Sequence, residues 1–122
     1  MSKEEDKDDG PVGMGLKEPW FGMIKSGKKV FEGRVYDEKR KKLKEGDVIK
    51  FEKNEYGTRD SVLKKVKSVT TYSSFRHLLE AHGMLNLLPG IVGIEAGVKF
   101  YYSIDGYKQG ESKHGVVAIE LC

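Results

Sequence analysis

The chain has 122 residues, 38% hydrophobic and 34% charged, with a net charge of +3. That profile fits one domain built around one core. No apolar run approaches the ~20 residues of a membrane helix, and the lone Cys122 excludes an internal disulfide framework. His77, His82 and His114 show no HExxH-like or CxxC-like spacing, so neither a metal nor a cofactor is expected.

The opening MSKEEDKDDGPVG is acidic and has no apolar centre, unlike a secretory signal. The expected compartment is intracellular: cytoplasmic, with the nucleus left open. Residues 1–13 carry a net charge of −3 and residues 14–122 a net charge of +6. The first stretch reads as a disordered acidic tail, because it has too little apolar surface to offset the entropy of ordering. The rest, residues 14–122, reads as the folded domain. Ten basic residues against five acidic ones between Lys25 and Lys50 imply attraction to a polyanion.

In chain order, Leu16 and Lys17 begin a first strand, and Pro19 suits the first turn of a short helix. Trp20, Phe21 and Ile24 form its apolar stripe. Trp20 reads as a core anchor, with base stacking as the alternative. Gly27 stops that helix, and an alternating strand runs from Val30 to Val35. On it Glu32 and Arg34 share one face, while Gly33 invites close backbone approach or a bulge that re-aims Lys29 toward the pair.

Asp37 caps a short charged turn containing Lys39, Arg40, Lys41 and Lys42. A strand starts at Val48, and residues 54–58 form an exposed turn. The return strand, residues 61–72, alternates imperfectly through Val62, Val66 and Val69. Ser73 or Ser74 caps a helix bearing Phe75, Leu78 and Leu79, with Gly83 as its stop. A further helix follows from about Val92, with Ile94, Val98 and either Tyr101 or Tyr102 on its apolar face. Residues 109–112 read as a loop, and residues 115–121 as a nearly continuous apolar closing strand.

The corner from Pro19-Trp20 through Ile24-Lys25-Ser26-Gly27-Lys28-Lys29 to Glu32-Gly33-Arg34 resembles the ASCH family. So do Lys44-Glu45-Gly46-Asp47-Val48-Ile49 and the closing Gly115-Val116-Val117-Ala118-Ile119-Glu120-Leu121. The resemblance spans residues 14–122. It implies an α+β fold, a small, partly open PUA-like β-barrel flanked by short helices, and an RNA- or nucleotide-binding cleft beside the first long strand. Lys28, Lys29, Glu32, Arg34, Lys39, Arg40, Lys41, Lys42, Tyr102 and Tyr107 are the candidate binding residues, making that cleft basic.

A bacterial branch of the family is similar to amidohydrolases of acetylcytidine. There an SGKK-like turn supplies a lysine, and a threonine three residues later is the nucleophile. The matching positions here are Lys29 and Glu32, so the nucleophile itself is replaced. A hydrolase of modified nucleosides or RNA is therefore the alternative reading, with Lys29, Glu32 and Arg34 as its catalytic group. A protein-interaction module in transcription or translation is a third. RNA or a nucleotide is the expected partner, a protein partner is possible, and the expected state is a monomer.

Overall fold

The computed structural model describes residues 10–122. Of the tail expected over residues 1–13, residues 1–9 lie outside the described residues, and its last two, Val12 and Gly13, are in a strand instead.

Five strands form one sheet in the order β1-β3-β4-β5-β2. They are β1 (Val12–Gly15), β2 (Phe31–Val35), β3 (Val48–Glu55), β4 (Thr58–Tyr72) and β5 (Val116–Leu121). Helix α1 (Trp20–Ser26) connects β1 to β2, and a single 3-10 turn (Arg40–Lys42) precedes β3. Four helices fill the stretch between β4 and β5: α2 (Phe75–His82), α3 (Met84–Leu87), α4 (Ile94–Ser103) and α5 (Tyr107–His114). The architecture is α+β, a partly open barrel with short helices on its flank.

The long strand β4 belongs to both halves of the sheet. Its residues 58–65 pair antiparallel with β3, and its residues 66–72 pair antiparallel with β5. A register shift between Val66 and Ser68 separates the two halves. The extra residue there explains the imperfect valine alternation. Val62 and Val66 are four apart, Val66 and Val69 only three, yet all three meet the same core cluster because the bulge restores the face.

Two apolar clusters result. The barrel interior gathers Met14, Phe21, Ile24, Leu43, Ile49, Phe51, Val66, Val117, Ile119 and Leu121. The helix layer gathers Val35, Phe75, Leu78, Leu79, Leu87, Leu88, Val98, Tyr101, Val116 and Ala118. Strand β5 divides them, sending Val117, Ile119 and Leu121 one way and Val116 and Ala118 the other. A strand covered on both faces has almost no wet side to mark with polar residues, hence an apolar run broken only at Glu120, which is half-buried and accepts from Ser68 at 2.9 Å.

Local signals account for most of the element boundaries. Ser74 caps α2 by accepting a hydrogen bond from the His77 N–H, and Gly27, at φ 85°, ends α1 in the left-handed conformation. Three sequence expectations need correcting. The first strand starts at Val12 rather than Leu16. Val12 is half-buried against the barrel core, and Val12 to Gly15 pair in parallel with Ile49 to Glu52. Residues 109–112 are helical, within α5, rather than a loop. Finally, β2 pairs with β5 in unbroken register and carries no bulge at Gly33.

Phe51 is fully buried and Leu63 is 58% exposed on the same hairpin. Phe51→Ala is expected to lower the unfolding free energy by about 3–5 kcal/mol, through lost transfer energy and a cavity. Leu63→Ala should change it by less than about 0.5 kcal/mol. Urea unfolding of the two variants checks both values.

Candidate binding cleft at the barrel seam

Strands β1 and β2 are the two ends of the sheet and do not pair with each other. The barrel is open there, and the seam is closed by a side chain instead of a ladder. Arg34 Nη2 donates to the Gly15 carbonyl at 2.8 Å, across from β2 to β1. Hydrogen bonds from Tyr36 N to Gly115 O and from Leu121 N to Val30 O turn the even-numbered backbone groups of β2 toward β5. By the strand period, the groups of Phe31, Gly33 and Val35 face the open edge.

The corner between α1 and β2 places the ionic centre. After Gly27 the chain folds back so that Lys29 N donates to Met23 O at 3.0 Å, and Lys29 precedes the strand. No bulge is needed to bring its amine to the pair. Lys29 Nζ lies 2.5 Å from the Phe31 carbonyl, 2.5 Å from the Leu87 carbonyl and 3.2 Å from Glu32 Oε1. Glu32 Oε2 in turn accepts from Arg34 Nε at 2.6 Å. The three residues are 2%, 6% and 8% exposed, so this is a buried triad rather than a surface ion pair.

Burial opposes charge on every member. For Lys29 burial prevails, drawing its pKa below the ordinary lysine value against the pull of Glu32. The geometry is still that of an ammonium, because three acceptors surround Nζ and a neutral amine has only two N–H groups to give. For Glu32 burial pushes upward, but Arg34 and then Lys29 outweigh it and hold the carboxyl below its ordinary range. Arg34 is likewise raised by Glu32 against the cost of burial.

The triad floors a cleft of about 740 Å³. Trp20, Phe100, Tyr101 and Tyr107 supply its aromatic walls, and Leu16 and Gly15 of the β1 side form its opposite lip. Trp20 is half-buried against the helix layer, edge-to-face with Phe100 at 5.2 Å, and also lines the cleft.

The cleft is not basic. Its lining carries the cations Lys17, Lys29 and Arg34, and the carboxylates Glu18, Glu32, Glu52, Glu55 and Asp105. Lys28, Lys39, Lys41 and Lys42 are exposed and lie outside it. Lys39 instead donates to Gly13 O at 3.1 Å, tying the 3-10 segment to β1, and Arg40 pairs with Asp37 at 2.9 Å. The basic residues thus form a strip beside the seam, not its interior. Burial raises the Tyr107 pKa, against the opposing charge of Arg34.

Of the tyrosines named from the sequence as binding residues, Tyr107 lines the cleft and Tyr102 does not. Tyr102 donates to Glu111 at 2.6 Å on the helix surface. Its neighbour Tyr101 turns inward instead, 3% exposed, stacked on Phe75 at 4.2 Å between ring centres. The helical spacing from Ile94 and Val98 admits either tyrosine, so the sequence left that choice open. Phe100, Asp105, Glu52 and Glu55 were not legible as site residues, because they arrive from separate elements with no common motif. Among the described residues no group of three His, Cys, Asp or Glu side chains is placed to hold a metal ion.

The family model of the ASCH domain matches residues 14–122. Two solved structures are similar over nearly the whole chain. The crystal structure of hypothetical protein PH0355 is 46% identical, with a TM-score of 0.79, covering 92% of this chain and 97% of that one. The solution structure of protein PF0455 from Pyrococcus furiosus is 44% identical, with a TM-score of 0.70, covering 92% and 96%. No curated protein matches.

Removing the negative member of the triad would leave two buried cations without a counter-charge. Glu32→Gln is expected to cost about 3–5 kcal/mol of unfolding free energy at neutral pH. The sign with pH follows from the lowered folded-state pKa: the Glu32 contribution is complete above the ordinary value of 4.5 and is lost as pH falls from there through the folded value. Urea midpoints measured from about pH 7 down to about pH 3 should therefore fall more steeply for the wild type than for Glu32→Gln. Parallel pH profiles would contradict the ionised, paired state of Glu32.

Proposed function

Because the chain belongs to the ASCH domain family, generally linked to RNA binding, we propose that it binds single-stranded RNA by drawing one unstacked base into the seam cleft, leaving the phosphates outside. The observation that carries this reading is the pairing of aromatic walls with a buried donor and acceptor floor in one cleft. Stacking provides affinity for a base face, and the Glu32 and Arg34 edge supplies hydrogen bonds to its polar rim.

Charge supports the division of labour. Five carboxylates against three cations in the lining disfavour a phosphate inside the cleft. The exposed cations Lys39, Lys41 and Lys42 on the strip beside it offer the strand backbone a track. A candidate partner of this kind needs no cofactor.

The hydrolytic reading is weaker by geometry. Lys29 engages its three N–H groups with Phe31 O, Leu87 O and Glu32, so it has no lone pair to take a proton. Glu32, held between two cations with a lowered pKa, is a poor base. Acylated cytidines are expected to remain intact with wild-type protein and with Lys29→Ala; turnover by wild type that disappears in Lys29→Ala would restore the enzyme reading.

The binding reading makes a two-part prediction, read by titrating single-stranded RNA against salt. Tyr107→Ala is expected to weaken binding by about 1–3 kcal/mol, the worth of one stacked base, with an unchanged salt slope. Lys41→Ala with Lys42→Ala should reduce the log-log salt slope by about 0.7 for each phosphate no longer neutralised. RNA that binds equally well at low and moderate salt, or that leaves the amide signals of residues 28–36 unmoved, would remove the proposal.

A further inference from the structure

The Tyr101 hydroxyl is buried and, among the described residues, has no hydrogen-bond partner. Its ring is fixed by stacking on Phe75 and by an edge contact with Phe100, so the hydroxyl has little freedom to search for one. It sits against β2 at Gly33, where an added Cβ would come within 2.6 Å of Oη and 3.2 Å of Cζ. Glycine within a strand weakens it, and here the missing side chain is the space the hydroxyl occupies. Phenylalanine at position 101 would satisfy the apolar surroundings without an orphaned donor. Burial and the nearby Glu32 charge keep the proton on the oxygen, so the group is a donor in search of an acceptor.

Resting on the RNA-binding reading above, we propose that the Tyr101 hydroxyl recognises a carbonyl oxygen on the base held in the cleft, making the site selective for oxo-bearing bases. Tyr101, Gly33, Glu32 and Arg34 all line that cleft. Arg34 commits Nε to Glu32 and one Nη2 proton to Gly15 O, and among the described residues Nη1 makes no bond. A second donor therefore stands on the same floor. The open edge of Gly33 adds its own backbone groups, which no strand covers. An uncharged carbonyl takes a hydrogen bond from such donors without bringing a negative charge beside Glu32, Glu52 and Glu55. An adenine ring, which has no exocyclic oxygen, leaves the buried hydroxyl less well satisfied.

The test compares two matched strands, hexainosine and hexaadenosine, which differ in an oxo group against an amino group on the same purine position. Each is titrated into wild-type protein and into Tyr101→Phe, and thermal unfolding of both proteins is measured without RNA. The expected result is tighter binding of hexainosine by wild type, with affinity reduced about tenfold in Tyr101→Phe and the preference abolished. The unliganded variant is expected to unfold at the same or a higher temperature, since an unpaired buried donor has been removed. Wild-type binding with no preference, a variant that binds and discriminates as well as wild type, or a variant that unfolds earlier without ligand would each overturn the inference alone. If wild type binds neither strand, the RNA-binding reading fails and the inference falls with it.

Discussion

The structure depends on three buried charges at an incomplete seam. Removing a charge from water costs several kcal/mol per ion even after relaxation, and Lys29, Glu32 and Arg34 are all withdrawn almost completely. The cost is tolerated because each member is paired: Lys29 by two carbonyls and a carboxylate, Glu32 by one cation on each oxygen, Arg34 by Glu32 and by Gly15 O. Apolar residues of similar volume would fill such a place at little or no loss of stability. What they could not do is bridge two strand edges that share no ladder, or leave donors and an acceptor facing a cleft.

The seam is also the line along which two cores meet. Barrel interior and helix layer are separated by β5 for most of their contact, with the side chains of one strand divided between them. At β2 the partition runs out, because the strand has only one neighbour. Glu32 and Arg34 face one side, Gly33 opens to the other, and Tyr101 reaches from the helix layer through the gap that glycine leaves. The cleft is thus a consequence of topology: a barrel closed by ladder hydrogen bonds all round would have no such edge to expose.

How far this was legible from sequence depended on whether the signal was local. The stop at Gly27, a cap at Ser73 or Ser74 and the apolar closing strand follow from single residues or one short run; the structure places the cap on Ser74 and shows β5 covered on both faces. Helix α5 escaped notice because Gly110 and its polar neighbours look like a loop. In place, a Cβ at Gly110 would lie 2.8 Å from both methyl groups of Val35, so that glycine serves close packing of a helix on β2 rather than a turn. Strand β1 was hidden for a related reason: glycines flank Met14, and its partner β3 lies more than thirty residues away in sequence. The acidity of the cleft was beyond local reading, since its carboxylates other than Glu32 come from β3, from the segment before α1 and from the turn after α4.

That acidity changes what the surplus of basic residues means. A net charge of +6 over residues 14–122 would suggest, taken as a sum, that the cleft itself attracts phosphate. The distribution says otherwise, because the lysines of the strip stand outside and five carboxylates line the cleft. A long-range field depends on the sum, whereas selection inside a cleft depends on the nearest few groups in a medium of lower dielectric. On the proposed RNA-binding reading the two ranges act on different parts of one ligand: the lysine strip would set how fast and how salt-dependently the strand arrives, and the cleft which uncharged fragment of it is retained. On that proposal an unstacked residue within a continuous strand meets both conditions at once, its base in the cleft and its neighbours' phosphates beside the strip.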